Sequence, residues 1–401
     1  MPTPIWYRWL LLSGVWFLYA IFGLVATSLS PLVLLIESDL NLTHAQMGSI
    51  MGAWQLVYIF SAIPCGTLLD RLGPRAALTM GVLLIGASVF ARGYAGSFIE
   101  LLLAVMLFGL GGPIISAGAP KIVTEWFRGS SRGLAMGIYM TGPAIGGIVS
   151  LTMTHSVLLP AFGESWRNVM YLWAGLSVIG VFTWLLITSH PAMQTGMQEH
   201  TSSSSLPQGQ ILRLLIKQPA VLLVLAMSVG VFLFNHGLNN WLPELLRSTG
   251  MSLVEAGYWA AVPTVIGLMG SLLIPRLATP GRRFNILIAL SLCAASASIL
   301  LHFQFEPLLF SGLILQGIAR SALMTVLILT LVELPGIGER YVGVASGLFF
   351  SAAEIGGVLG PVSLGLLYDF TGGFDVGLTM LTVVAVLLAV GGHRLKGLAT
   401  K

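Results

Sequence analysis

Twelve runs of apolar residues divide this chain, and no other feature restricts its fold as severely. They lie at roughly 9–36, 47–69, 76–95, 98–124, 133–158, 168–187, 220–243, 254–274, 284–302, 307–331, 343–367 and 376–392. A run of about 20 apolar residues crosses a bilayer as a helix. Composition agrees: 8% of residues are charged and 56% hydrophobic, against about 25% charged in soluble proteins. The 48 glycines suit helices packed closely in lipid. The expectation is an all-α membrane protein of twelve transmembrane helices.

Most connections between the runs are short. The exception, 188–219, holds Thr201–Ser205 and Pro207 and reads as a polar, flexible linker. It separates a six-helix bundle over 1–187 from a second over 220–392, with 393–401 as a tail. The apolar run after Arg8 is longer than a signal-peptide core and has a counterpart in the second half, so it reads as a retained first helix. With the N-terminus inside, fourteen Lys and Arg residues fall on the cytoplasmic side and three, Arg92, Arg167 and Arg247, on the other. That bias puts both termini and the linker in the cytoplasm.

The two halves share a sequence. Gly133, Gly137, Gly146 and Gly147 return as Gly343, Gly347, Gly356 and Gly357, each 210 positions later. Gly109 aligns with Gly317 and Glu125 with Glu333 at an offset of 208. The halves are therefore parallel repeats related by an axis along the membrane normal, an architecture of transporters. Symmetry breaks at two positions: Ala144 becomes Glu354, and Gly112 becomes Arg320.

Several classes of function are excluded. Cys65 and Cys293 both sit in apolar runs as small core residues. No CxxC pair, HExxH run or GxxxxGK[ST] loop is present, so no metal, cofactor or nucleotide site is expected. The net charge of +4 is spread singly between apolar runs, a pattern of topology and not of nucleic-acid binding. With no nucleophile–base pair, an enzyme is the least expected class.

Between spans 2 and 3 the chain reads Gly66-Thr-Leu68-Leu-Asp70-Arg71-Leu-Gly73-Pro-Arg75. This resembles the G-x-L-x-D-R-x-G-x-R signature of the major facilitator superfamily, and the twelve-span layout extends the resemblance over the whole chain. The resemblance implies a conformational latch at Gly66, Asp70, Arg71, Gly73 and Arg75, with Arg71 and Arg75 as ionic partners of Asp70. Independently, a carboxylate near a helix N-terminus, here that of span 11, gains about 0.3–1 kcal/mol. A purely topological role for these charges is the alternative. In the second half Pro275-Arg276 replaces the Asp-Arg pair, so a latch there is weaker. Gly142, Pro143, Gly146 and Gly147 are similar to the GPxxGG motif of drug/proton antiporters, but Val105 stands where those proteins usually carry an arginine. Close packing and a proline bend explain the same residues, as they do Gly356 and Gly357.

Ionisable residues inside a bilayer are costly and usually face a cavity or a partner. Arg320 is near the middle of span 10, and the resemblance turns that span toward a central cavity. A guanidinium there suits a carboxylate bound through two parallel hydrogen bonds. Glu354, in span 11, is a candidate for proton coupling, or for a permanent brace with Arg320. Span 7 gathers Asn235, His236, Asn239 and Asn240. Asn235 and Asn239 share one face, His236 and Asn240 another. The segment through Trp241-Leu-Pro243 resembles that of cyanate-permease-type anion transporters; interhelical hydrogen bonding is the plainer reading. Lys121 would draw an anion along the cavity or snorkel to the interface. Tyr19, Trp54, Gln55, Tyr58 and Tyr139 would shape the cavity or serve packing.

Together these readings describe a multi-pass permease of a bacterial inner membrane, acting as a monomer. It moves a small organic or inorganic anion by alternating access, driven by a proton or a counter-anion. A proton-coupled exporter of drugs or hydrophobic compounds is the first alternative, and a sensor that binds without transporting is the second.

Overall fold

A computed structural model describes residues 5–195, 213–279, 281–334 and 338–399. The linker residues Thr201–Ser205 and Pro207, and the end of the tail at Lys401, lie outside the described residues. The described regular elements are all helical. The principal helices are α1 Ile5–Thr27, α2 Val33–Leu40, α3 His44–Tyr94, α4 Phe98–Trp126, α5 Ser130–Met153 and α6 Trp166–Thr188. After the linker come α7 Pro219–Ser248, α8 Leu253–Leu277, α9 Arg283–Leu300, α10 Glu306–Val332, α11 Gly338–Thr371 and α12 Asp375–Ala399.

Eleven helical segments among the described residues are long and apolar enough to cross a membrane. The remaining expected span, 47–69, is the first half of α3, which runs into span 3 without an intervening loop. Its break is at Gly73, where φ is 73° and ψ 163°. A side chain is strained at that φ, so glycine belongs there, and Pro74 then restarts the helix with its φ already set. Elsewhere in the motif the glycine has no such reason: a methyl at Gly66 would meet nothing within 4 Å.

Contacts divide the chain into two compact units. One comprises Met1–Leu42 with Leu56–Ser202, the other Thr43–Gln55 with Ser203–Lys401. The first turns of α3 thus belong to the second unit.

In the first unit α1 packs against α4, α5 and α6. Glycines set its closest approach. A methyl at Gly142 would lie 2.8 Å from the Trp16 carbonyl, and methyls at Gly146 and Gly23 would fall on the backbones of Ala20 and Pro143. The end of α1 leaves carbonyls without helical partners, which lipid cannot satisfy. Arg92, buried in α3, donates from Nη1 to the Val25 carbonyl at 2.9 Å and to Ser28 Oγ at 3.2 Å. His155, in a widened turn after α5, is buried with Nε2 2.6 Å from the Pro31 carbonyl. Its ring N–H serves that carbonyl.

The second unit repeats the joint between α7 and α11. Methyls at Gly356 and Gly360 would strike the Val229 and Leu233 carbonyls, the latter at 2.5 Å. The repeated glycines therefore build the same backbone-to-backbone contact twice. Around it α8 packs on α10, and α9 on α10 and α12.

Candidate substrate and coupling site

The second unit holds a polar cluster midway along its helices. Arg320 lies at the centre of α10, and its Nη1 donates to Asn239 Oδ1 of α7 at 3.1 Å and to Thr264 Oγ1 of α8 at 2.9 Å. Gln316, one turn earlier on α10, donates from Nε2 to the same Asn239 oxygen at 3.4 Å. Among the described residues, Nε and Nη2 of Arg320 have no hydrogen-bond partner. One corner of the guanidinium is anchored and its fork is left for something else. Arg320 makes no ion pair with Glu354 among the described residues, so a brace between them is absent from this structure.

His236 forms the second part of the cluster. Its Nδ1 is 3.2 Å from Gln55 Nε2, and its ring meets Trp54 edge-on at 5.9 Å and Phe232 at 5.3 Å. Asn240 folds back on its own helix, donating to the His236 carbonyl at 2.8 Å. Asn235 is half-buried and joins no hydrogen bond of the cluster among the described residues. The four polar residues of span 7 are therefore not equivalent: Asn239 and His236 face the other helices, and Asn240 spends a donor on backbone.

Glu354 is 5% exposed, and its Oε2 is buried without a hydrogen-bond partner among the described residues. A methyl built at Gly357 would lie 2.7 Å from that oxygen and 3.0 Å from Gln55 Cγ. Gly357 thus opens the space that Glu354 and Gln55 share. Gln55 Oε1 and Gln316 Oε1 are likewise buried without donors.

In the first unit, Tyr19 lies 5.6 Å from Tyr139 and 5.6 Å from Phe22, ring centre to ring centre. Gly112, the repeat counterpart of Arg320, lies beneath aromatic rings: a methyl there would be 3.2 Å from Phe22 and 3.8 Å from Tyr58. One repeat places aromatic surface where the other places a cation.

Two expectations change. Lys121 was expected among substrate-binding residues, but its Nζ binds Asp70 Oδ1 at 2.6 Å. Arg71 and Arg75, expected as the ionic partners of Asp70, form no ion pair with it among the described residues. The reason is geometric. Adjacent residues on a helix do not face each other, and Arg75 lies beyond the break at Gly73, whereas Lys121 reaches Asp70 from α4. Thr264 and Gln316 were not anticipated as site residues. Gln316 is four residues before Arg320 on one helical face, a legible signal; a single threonine in an apolar span gives none.

The Major Facilitator Superfamily model matches residues 15–361. The hexuronate transporter of Bacillus subtilis is 25% identical, covering 85% of this chain and 83% of its own length. A protein of Escherichia coli named a probable galactarate/D-glucarate transporter is 22% identical, covering 88% and 86%. The quinolone resistance transporter of Acinetobacter baumannii is 24% identical, covering 86% and 84%. Among solved structures, a bacterial homologue of the human lysosomal transporter Spinster, inward-facing and unoccupied, superposes with a TM-score of 0.79 at 18% identity, covering 99% of this chain and 98% of that one. With the repeat, the spans and the loop motif, these matches place the chain in the Major Facilitator Superfamily as a multi-pass membrane transporter.

Proposed function

We propose that this transporter moves a small organic anion bearing a carboxylate, and that Arg320 holds the carboxylate. The observation that carries the reading is the guanidinium anchored at Nη1 by Asn239 and Thr264, with Nε and Nη2 left unengaged within a membrane span. An arginine at mid-membrane costs at least about 2.5–3.5 kcal/mol on insertion scales. A carboxylate docked on its fork offsets that cost through two charge-assisted hydrogen bonds. The sugar-acid relatives support the same ligand class. Polar side chains nearby, Gln316, His236 and Gln55, supply donors and acceptors suited to a hydroxylated anion.

Coupling is assigned to Glu354. One proton there turns its buried, unpartnered oxygen from an acceptor into a donor, so uptake and release of that proton change the bonding of the cluster. Export of hydrophobic compounds is the second reading, favoured by the quinolone-resistance relative and by the motif at Gly142–Gly147. The close packing of Gly142 and Gly146 on α1 accounts for that motif without an export role.

Reconstitution in proteoliposomes separates the two. The expected result is uptake of a hexuronate or an aldarate, stimulated by an inward proton gradient and lost in Arg320→Lys. Gradient-driven quinolone efflux without any sugar-acid uptake would overturn the anion reading. Glu354→Gln should retain exchange and lose uphill uptake; full uphill uptake in that variant removes Glu354 from coupling.

A further inference from the structure

We infer that Gln55 is a positioning residue whose carboxamide links the protonation of Glu354 to that of His236. This rests on the coupling role proposed above for Glu354. The geometry consists of two buried acceptors without donors among the described residues, Gln55 Oε1 and Glu354 Oε2, on side chains that meet at Gly357, where a methyl would lie 2.7 Å from Glu354 Oε2 and 3.0 Å from Gln55 Cγ. On its other side the same carboxamide lies 3.2 Å from His236 Nδ1.

A carboxamide has one donor end and one acceptor end, so it fits this position in two ways. In the first, Glu354 carries the proton and its O–H donates to Gln55 Oε1. Gln55 Nε2 then donates to the Nδ1 lone pair of a neutral His236 whose ring proton is on Nε2. In the second, the O–H bond of Glu354 is broken and an N–H bond is formed at His236 Nδ1, with water carrying the proton. The amide is turned about its Cγ–Cδ bond, so that Nε2 donates to the carboxylate and Oε1 accepts from the imidazolium. The proton count of the pair is unchanged, and in either pattern both orphan oxygens are satisfied. A half-turned mixture leaves two acceptors, or two donors, facing each other. The amide therefore pairs a protonated Glu354 with a bare Nδ1 on His236, and an ionised Glu354 with an Nδ1–H carried by the imidazolium or by the neutral Nδ1–H tautomer.

The charge nearby is sparse. On α7 it is His236 itself, with Glu244 and Arg247 at the helix end; on α10 it is Arg320, whose field reaches His236. The first turns of α3 bring only His44, α8 has Glu255 near its start and Arg276 near its end, α11 has Asp369 near its end, and α12 keeps Asp375, His393, Arg394 and Lys396 at its ends. No basic side chain forms an ion pair with Glu354 among the described residues.

The test follows the His236 ring by 15N NMR in the full-length protein, without substrate, across a pH titration. Wild type and Glu354→Gln are compared, then the same pair in a Gln55→Leu background, with Gln55→Asn as a second, shorter variant. The expected result is that Glu354→Gln moves the His236 titration midpoint by about one pH unit, the scale of interacting sites. In either Gln55 background that shift should fall to less than half. Gln55→Leu should also reduce gradient-driven uptake by at least about tenfold, 1.4 kcal/mol. An undiminished shift in both Gln55 variants overturns the link, as does the absence of any shift in the wild-type background. Because the NMR arm needs no substrate, failure of the anion reading appears in the uptake assay alone.

Discussion

Thr264→Val removes one hydroxyl from α8 and leaves its volume nearly unchanged, and its effect should appear in substrate affinity. The lost bond runs from Arg320 Nη1 to Thr264 Oγ1 at 2.9 Å. Hydrogen bonds to charged groups contribute about 1.5–3 kcal/mol. Arg320 keeps Asn239 at 3.1 Å, so the lower end applies. A loss of about 1.4 kcal/mol is tenfold in affinity. Titration calorimetry of the detergent-purified protein with a hexuronate or galactarate should show that tenfold weakening, with the thermal midpoint little changed. Since Thr264 acts only through the guanidinium, the effect should largely vanish when Arg320→Lys is already present. Wild-type affinity in Thr264→Val, or full additivity with Arg320→Lys, would refute the claim that Thr264 orients a substrate-binding arginine.

Three further outcomes follow from geometry. Gly356→Ala should destabilise the protein by about 1–3 kcal/mol, the usual cost of overpacking, because its methyl falls on the Val229 carbonyl. Gly347→Ala, in the same repeat but with nothing within 4 Å, should not, and thermal unfolding of the two variants checks the contrast. Lys121→Gln should leave substrate affinity within about threefold and stability within about 1 kcal/mol, since exposed pairs such as Lys121–Asp70 contribute little; a large affinity loss would return Lys121 to the substrate path. His44, just before the second span, stacks on Tyr368 at 3.8 Å and Trp241 at 5.1 Å. Burial lowers its pKa from 6.5, opposed by Glu244 and Asp369 and assisted by Arg247. A lowered histidine stabilises fully above its unfolded value of about 6.5 and loses that contribution as pH falls below it toward the folded value. The thermal midpoint should therefore drop below about pH 6.5, and less steeply in His44→Phe.

The architecture was legible in the sequence because lipid leaves few alternatives: apolar runs must be helices, and a constant glycine offset must be a repeat. The candidate site was legible only where charge stood out. Arg320 and Glu354 were conspicuous because each replaced a small residue of the first copy. Their neighbours were not, since an apolar helix does not reveal which side chains of other helices it meets. Thr264 is indistinguishable in sequence from threonines that bond their own backbone, such as Thr330 to the Val326 carbonyl. Lys121 shows the converse: its charge was visible, but its partner, Asp70, lies 51 residues away. Spans 2 and 3 concealed their continuity because Gly73-Pro74 reads as a loop while serving as a bend between two helical turns.

The glycine joints have a mechanical meaning. Where α5 meets α1 at Gly142 and Gly146, and α11 meets α7 at Gly356 and Gly360, main chain touches main chain. No side chain lies there to change rotamer and absorb a displacement. Each pair is therefore stiff in its own unit, like two rods welded at midlength, and neither helix of a pair tilts without carrying the other. In α7 and α11 the weld joins the helix of His236 and Asn239 to that of Glu354. A displacement of the first is felt by the second as by one body.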